Sequence, residues 1–147
     1  MPHSHNPALP KKPVPVVNTW ARPFWDAAKE ERLIIQKCAA CGEHVFYPRI
    51  ACPFCAAETL DWVEASGKGT IYSCTVVESN APSAFLADMP YVIAVIRLQE
   101  GVRMLSNVVG CDPYSVHCEQ PVEVTFEKLN DTFTLPKFRP IRGQEAP

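Results

Sequence analysis

The clearest hydrophobic pattern in the chain is the strict alternation in residues 121–129, PVEVTFEKL. Val122, Val124 and Phe126 fall on one face of an extended chain, and polar or charged residues fall on the other. This period of two predicts an antiparallel strand with one face buried and one face in water. Strand-like composition recurs in four other stretches, which are GKGTIYSCTVVES, YVIAVIRLQE, VRMLSNVVG and TFTLPKFRP.

These five predicted strands lie within residues 62–140, joined mainly by short turns, with no internal repeat and almost no helical periodicity. Five short strands in a segment of this size predict a small Greek-key barrel of the OB type, and a β-sandwich is the alternative. The one long connection, NAPSAFLADMP, places Phe85 and Leu86 in a loop. Loops of that length usually have structure of their own or a binding role.

Helical spacing occurs near the N-terminus. Pro23 suits the first turn of a helix, and the residues after it predict a short helix over residues 22–31. Residues 33–36 are mostly apolar, with two β-branched isoleucines, and predict a strand that runs into Cys38. Residues 1–17 contain five prolines, which excludes a helix or a central strand and indicates a disordered or extended tail.

Four cysteines form two Cys-x-x-C pairs, Cys38 with Cys41 and Cys52 with Cys55, separated by ten residues. Each pair offers two thiolates to one tetrahedral ion, and the spacer is long enough for a hairpin that brings the pairs together. Gly42 suits the tight turn after the first pair, because glycine tolerates a positive φ. The spacing is typical of a zinc ribbon that binds one zinc ion. Four thiolates leave no open position for substrate, so the predicted zinc is structural.

Two alternatives to zinc exist for this cluster. Iron in the same cage would make the chain an electron-transfer protein, which visible absorbance would reveal. A dithiol redox motif is expected near a βαβ unit, and none is apparent. The other cysteines, Cys74, Cys111 and Cys118, bring the total to seven. An odd total argues against a disulfide framework, and we interpret these three as small apolar residues or free thiols.

The composition and charge of the chain mainly exclude classes of protein. The 147 residues carry a net charge of −2, which lacks the basic excess usual in nucleic-acid-binding proteins. No apolar stretch approaches the roughly 18 residues of a membrane-spanning helix, and the first residues lack the apolar core of a signal peptide. We therefore expect a cytoplasmic protein without membrane association. The sequence also contains no G-x-S-x-G, H-E-x-x-H or glycine-rich phosphate loop.

The positive charges of the predicted barrel are candidates for ligand binding. Arg97 and Arg103 flank a strand turn and can lie opposite each other, which is unfavourable unless an anion or carboxylate joins them. Lys137 and Arg139 lie on the last strand with Phe138 between them. A partly basic face with an aromatic residue suits a phosphorylated small ligand. Ordinary solvated charge is the alternative for each of these residues.

A resemblance to a known family is carried by RPFWDAAKEERLIIQKCAACG, YPRIACPFC, WVEASGKGTIYSCTVV, PYVIAVIRLQEGVRMLSNVVG and PVEVTFEKL…TLPKFRP. In this order they are similar to the acyl-CoA-associated OB-fold family with a rubredoxin-like zinc ribbon, long catalogued as a domain of unknown function. The resemblance covers about residues 20–140. It implies a mainly β protein with a short N-terminal helix, a zinc ribbon and a five-stranded OB-fold barrel.

This fold divides the chain into four expected parts. They are a disordered or extended tail over residues 1–19, the helix and zinc ribbon over 20–61, the OB-fold domain over 62–140 and a C-terminal tail over 141–147. The resemblance carries the metal ligands over to the four paired cysteines, Cys38, Cys41, Cys52 and Cys55.

Members of the family are small partner subunits of acyl-CoA enzymes, namely thiolase-like enzymes, enoyl-CoA hydratases and aldolases that shorten steroid side chains. The resemblance implies that the barrel holds the CoA part of a thioester and that the ribbon contacts the partner enzyme. No catalytic residue and no CoA contact carries over. The CoA-binding candidates therefore rest on physical grounds alone, and they are Arg97, Arg103, Lys137, Phe138 and Arg139.

We therefore expect a non-catalytic accessory subunit that binds acyl-CoA and assembles with a thiolase-like, aldolase or hydratase enzyme of lipid or steroid metabolism. No hydratase or thiolase domain is recognised in the sequence, so the partner is expected to be a separate chain. Exposed apolar residues predict the partner interface, namely Phe46, Tyr47, Phe85 and Leu86. The alternative is a zinc-ribbon and OB-fold module that binds single-stranded nucleic acid, which a salt-dependent gel shift would reveal.

Overall fold

The computed structural model describes residues 10–143 and contains one α-helix, eight strands and three short 3-10 helices. The 3-10 helices span Thr19–Ala21, Ser83–Asp88 and Pro113–Ser115. The α-helix α1 spans Arg22–Lys29, and the strands are β1 (Ile34–Cys38), β2 (His44–Val45), β3 (Leu60–Glu64), β4 (Lys68–Val77), β5 (Tyr91–Leu98), β6 (Arg103–Val108), β7 (Pro121–Lys128) and β8 (Thr134–Pro140). The mainly β fold class predicted from the sequence is confirmed.

Strands β4 to β8 close into a barrel in the order β4-β5-β6-β8-β7. The predicted five-stranded barrel is therefore correct, and the sandwich alternative is excluded. Alternate residues of β5 are buried, as expected when one face of each strand lines the barrel interior. The centre of the core contains large side chains that are fully buried, among them Ile71, Ile96, Val122 and Phe138. Between β6 and β8 the register contains a single parallel pair, Val108 with Phe138.

Strands β1, β2 and β3 form a separate three-stranded sheet in the order β2-β1-β3. β3 pairs along the whole of β1, from Ile34 opposite Glu64 to Cys38 opposite Leu60. The boundary predicted between residues 61 and 62 therefore falls within β3. This strand connects the cysteine-bearing segment to the barrel, because β4 begins four residues after β3 ends.

Helix α1 covers one part of the barrel. It buries Phe24, Ala27 and Ala28, and the indole of Trp25 meets the ring of Phe133 edge to face at 5.4 Å. The helix ends at Lys29, two residues before the predicted end. Glu31 has a φ of 58°, which is outside the helical region and accounts for the earlier end.

The two predicted tails are described only in part, because residues 1–9 and 144–147 lie outside the described residues. Residues 10–18 contain no helix or strand, and Lys12 forms an ion pair with Asp88 at 2.5 Å. Within residues 10–143, no helix is both long enough and apolar enough to cross a membrane.

Candidate metal centre and ligand-binding face

The four paired cysteines converge, and their sulfur atoms all lie within 4.8 Å of one another. The Sγ atoms of Cys38 and Cys55 are 3.6 Å apart, and those of Cys41 and Cys52 are 3.7 Å apart. Zinc–sulfur bonds of about 2.3 Å place the sulfurs of a regular tetrahedron about 3.8 Å apart. The donor set and its spacing therefore fit one zinc ion, as the cysteine pattern predicted, and the ion would hold the two pairs together.

The two cysteine pairs sit in turns of the same design. In the first, the backbone N–H of Gly42 donates to the carbonyl oxygen of Cys38 at 2.9 Å, and Gly42 has a φ of 79°. In the second, the N–H of Ala56 donates to the carbonyl oxygen of Cys52 at 2.9 Å. Ala56 has a φ of 63°, an uncommon value for a residue with a side chain. The sequence predicted a positive φ only for the first turn, because the second has an alanine where the first has a glycine.

The electrostatics of the cluster favour a bound cation. The backbone N–H of Cys41 holds the pKa of the Cys38 thiol at about 6, against the desolvation that raises it. For Cys41, the N–H of Glu43 acts to lower the pKa, but desolvation and the neighbouring thiols raise it to about 12. Thiolates this close repel one another, and a divalent cation removes that repulsion.

Gln36 holds the spacer between the two cysteine pairs. Its side chain is 4 % exposed, its Nε2 donates to the carbonyl oxygen of Arg49 at 3.0 Å, and its Oε1 accepts from the N–H of Arg49 at 2.7 Å. The amide thereby imitates the backbone pairing of a neighbouring strand. Sequence reasoning missed this residue, because its partner lies 13 positions away and no local pattern points to it.

The spacer also contacts the barrel. Phe46 is partly buried, packs against the barrel core and lies 5.6 Å from the ring of Phe24. Tyr47 is 52 % exposed, and its hydroxyl accepts a hydrogen bond from the N–H of Leu105 at 3.1 Å. Of these two predicted interface residues, Phe46 therefore belongs mainly to the protein's own packing, and Tyr47 keeps about half of its surface free.

Two cavities lie side by side on the outside of the barrel. The larger, about 610 Å³, is formed by the outer faces of β5, β6 and β8 and by the loop that carries the 3-10 helix Ser83–Asp88. The smaller, about 400 Å³, lies between α1, the ribbon spacer and the same strands β6 and β8. The side chains that line both are Leu105, Ser106, Asn107, Leu135 and Lys137. The two cavities thus form one continuous groove.

The long loop between β4 and β5 has its own structure, the 3-10 helix Ser83–Asp88. Phe85 faces the larger cavity, where its ring lies 6.3 Å from that of Tyr91 and beneath the Nζ of Lys12 at 5.5 Å. Leu86 is 50 % exposed. Of these two predicted interface residues, Phe85 therefore lines the larger cavity, and Leu86 follows it in the same 3-10 helix.

The five CoA-binding candidates divide into three groups. Lys137 lines both cavities, with its Nζ 2.8 Å from a carboxylate oxygen of Glu127, and Arg139 pairs with Glu123 at 3.1 Å. Phe138 is 0 % exposed, so the expectation that it contacts a ligand needs correction. In β8 its side chain points into the barrel while its two neighbours point outward, as the alternation of a strand requires.

Arg97 and Arg103 occupy directly opposed positions in β5 and β6, which confirms the expected proximity of two like charges. Glu119 pairs with one of the two, since one of its oxygens lies 2.8 Å from Nη2 of Arg97. Neither arginine lines either of these two cavities, but Arg103 is two residues from Leu105 along the same strand. Both side chains therefore stand on the outer face that continues the groove.

Comparisons with known proteins agree with this architecture. Residues 25–61 match the family model of the ChsH2 rubredoxin-like zinc ribbon domain, and residues 62–127 match that of the ChsH2 C-terminal OB-fold domain. The chain is 39 % identical over 134 residues to a probable enoyl-CoA hydratase alpha subunit of Thermomonospora curvata, covering 91 % of this chain and 41 % of that protein. The chain therefore spans less than half the length of that relative.

Two further similarities cover nearly the whole of the compared protein. A DUF35 domain-containing scaffold protein of Methanocaldococcus jannaschii is 37 % identical over 128 residues, covering 81 % of this chain and 89 % of that protein. A chain of the solved Ltp2-ChsH2(DUF35) aldolase superposes with a TM-score of 0.79 and 38 % identity, covering 86 % of this chain and 98 % of that one. The chain therefore belongs to the family of DUF35 domain proteins that consist of a zinc ribbon and an OB-fold domain.

Proposed function

We propose that the chain is a non-catalytic accessory subunit, which binds the CoA part of an acyl-CoA thioester and assembles with an acyl-CoA enzyme. The partner would be a thiolase-like enzyme, either a thiolase or a retro-aldolase, or an enoyl-CoA hydratase of lipid or steroid metabolism. The position of the larger cavity is the observation that carries the proposal. It lies on the second and third strands of the barrel and the loop that precedes them, where OB folds usually bind their ligands.

The chemistry of the groove suits a ligand that is apolar along much of its length and anionic at one end. Phe85, Tyr91 and Leu105 supply apolar surface, and Lys12 and Lys137 add ammonium groups. Each lysine is paired with a carboxylate, Lys12 with Asp88 and Lys137 with Glu127. An anionic ligand would have to compete for them, so we expect the unpaired donors of the outer face to contribute more than these lysines.

A catalytic role for the chain itself finds no support among the described residues. The four thiolates would complete the zinc shell, which leaves no position for substrate. Of the two histidines within residues 10–143, His44 pairs within the ribbon sheet, and Nδ1 of His117 lies 3.2 Å from the carbonyl oxygen of Ser115. Neither lines the groove. We therefore place the chemistry in the partner enzyme.

The names of the relatives support an enzyme partner, since one is an aldolase complex and another a hydratase subunit. Apolar side chains remain exposed along the rim of the groove and beside it, with Tyr47 52 %, Leu105 59 % and Leu86, which follows the cavity residue Phe85, 50 % exposed. Apolar patches of this kind are typical of protein–protein contacts. We propose that this rim faces the partner and that the assembly closes the groove over the thioester. All seven cysteines lie within residues 10–143 and none forms a disulfide there, which agrees with a cytoplasmic location.

Two measurements test the proposal. Calorimetric titration of the zinc-loaded chain with acetyl-CoA should show saturable binding. Coexpression with an aldolase or hydratase of the same genome should give a stable complex, which Leu86→Asp should weaken and Lys128→Gln should leave intact. Lys128 is exposed and paired with Asp131 at one end of β7. A chain that stays alone and binds no thioester, but shifts single-stranded oligonucleotides in a salt-dependent way, would favour the nucleic-acid alternative instead.

A further inference from the structure

A β-bulge in β4 brings an aromatic ring to the two opposed arginines. Ile71 pairs with Ile96 and Ser73 with Val95, so Tyr72 is the extra residue of β4 and has no partner in β5. Bulges re-aim a side chain relative to the regular strand and are frequent next to binding sites. The Tyr72 ring, which is 42 % exposed, lies against both guanidinium groups on the outer face.

The stacking is closest for Arg103. Its Cζ lies 3.8 Å from the centroid of the Tyr72 ring, whereas Cζ of Arg97 lies 5.9 Å from it. A guanidinium attracted to an aromatic face lies in a defined orientation. Tyr72 thus forms a platform that holds two cations side by side at the surface.

The two arginines differ in what already occupies their donors. Nη2 of Arg97 donates to Glu119 at 2.8 Å and lies 3.4 Å from Oγ1 of Thr70. The Arg103 side chain makes no ion pair and no hydrogen bond with any residue in the described range of 10–143. The cluster therefore has two positive charges against one negative charge, and the five donors of one guanidinium are available to a ligand.

We propose that Tyr72, Arg97 and Arg103 form a phosphate-binding site that determines which way a CoA thioester lies on the barrel. The inference rests on the proposed function and deepens it by assigning the anionic end of the ligand. A planar guanidinium matches two phosphate oxygens at once. A bound phosphate would also offset the repulsion between the two opposed arginines. Without a ligand, Glu119 neutralises only Arg97.

The position of the cluster relative to the groove gives the ligand its direction. The pair Arg97–Arg103 and the pair Ile93–Asn107 belong to the same two strands, and the latter pair lines the larger cavity. The two pairs are four residue steps apart along the strands, which corresponds to about 14 Å. Leu105 lies between them on the outer face. A ligand with its phosphates at Arg103 would run along β6 and carry its acyl end into the groove.

The test compares thioesters that carry three, two or no phosphates, of which the last also lacks the adenosine. Acetyl-CoA, its 3′-dephospho form and acetyl-pantetheine are titrated into the zinc-loaded wild-type chain and into Arg103→Gln, Arg103→Lys and Lys128→Gln. We expect acetyl-CoA to bind the wild type at least tenfold more tightly than acetyl-pantetheine. Arg103→Gln should weaken acetyl-CoA binding about tenfold to hundredfold, the usual range for hydrogen bonds to a charged group. Arg103→Gln should leave the affinity for acetyl-pantetheine unchanged. The control Lys128→Gln should leave the affinity for every one of these ligands unchanged.

Arg103→Lys keeps the charge but loses the planar fork, so it should bind acetyl-CoA with intermediate affinity. Equal wild-type affinity for acetyl-CoA and acetyl-pantetheine would overturn the phosphate site and leave the proposed function standing. The site is also overturned if Arg103→Gln weakens assembly with the enzyme while thioester affinity is unchanged, because a carboxylate of the partner is then the occupant. Absence of binding by both ligands would overturn the proposed function together with the site.

Discussion

The paired hydrogen bonds of Gln36 allow a quantitative test of how the cysteine spacer is held. Gln36→Met keeps the size and flexibility of the side chain but removes the bonds of 3.0 and 2.7 Å to the backbone of Arg49. Two hydrogen bonds at about 1 kcal/mol each predict a loss of about 2 kcal/mol in the free energy of unfolding. The loss should not be much larger, because Arg49 is exposed and water can reach its freed backbone groups.

Urea unfolding of the zinc-loaded protein measures this loss, and transfer of zinc to a coloured chelator measures how often the ribbon opens. Gln36→Met should unfold at lower urea and release zinc faster than the wild type. Gln99→Met is the matched control, because the Gln99 side chain is exposed and makes no hydrogen bond to the described residues. If Gln36→Met behaves like Gln99→Met in both assays, the amide does not hold the spacer and our reasoning is refuted.

Three further predictions address the metal, the core and a titrating group. Cys41→Ser should abolish zinc binding and make residues 38–60 sensitive to proteolysis while the barrel stays resistant, because metal binding supplies much of the folding energy of a small ribbon. Phe138→Ala should lower the free energy of unfolding by about 3–5 kcal/mol in urea; a loss below 1 kcal/mol would contradict its central position. The hydrogen bond to Glu78 raises the pKa of Tyr114 above its ordinary value. The stability from this bond is therefore present at neutral pH and lost as the pH rises through the raised pKa. Glu78→Gln should move the tyrosinate absorbance titration of Tyr114 to lower pH, and an unchanged titration would exclude the bond.

Short-range patterns predicted the parts of the molecule that depend on neighbouring residues. The two Cys-x-x-C turns can be recognised from their spacing alone, because each pair of ligands belongs to one local turn. The turn at Glu100-Gly101 placed Arg97 near Arg103, because a tight hairpin fixes which residues oppose each other. The strand alternation that predicted β7 also applies to β8. Applied to β8, it places Phe138 inside the barrel and its two neighbours outside.

Long-range features required the folded chain. The bonds from Gln36 to Arg49, the contact of Tyr47 with Leu105 and the stacking of Tyr72 on Arg103 join residues 13, 58 and 31 positions apart. Ala56 has a positive φ like Gly42, but an alanine gives no sequence signal for that conformation. Such contacts depend on how strands pair and where a bulge falls, which no single window of the chain encodes.

The sequence by itself therefore determined the zinc ligands, the number of barrel strands and the family. Each follows from local spacing or from residues that recur in a fixed order. Only the tertiary structure decided where a ligand can lie. Closure of the barrel through a single β6–β8 pair and the approach of the ribbon to β6 create the groove. The bulge at Tyr72 brings its ring to two opposed arginines and so creates a candidate phosphate site. The positions of these side chains depend on how the strands pack and not on local propensity, which is why the sequence did not indicate them.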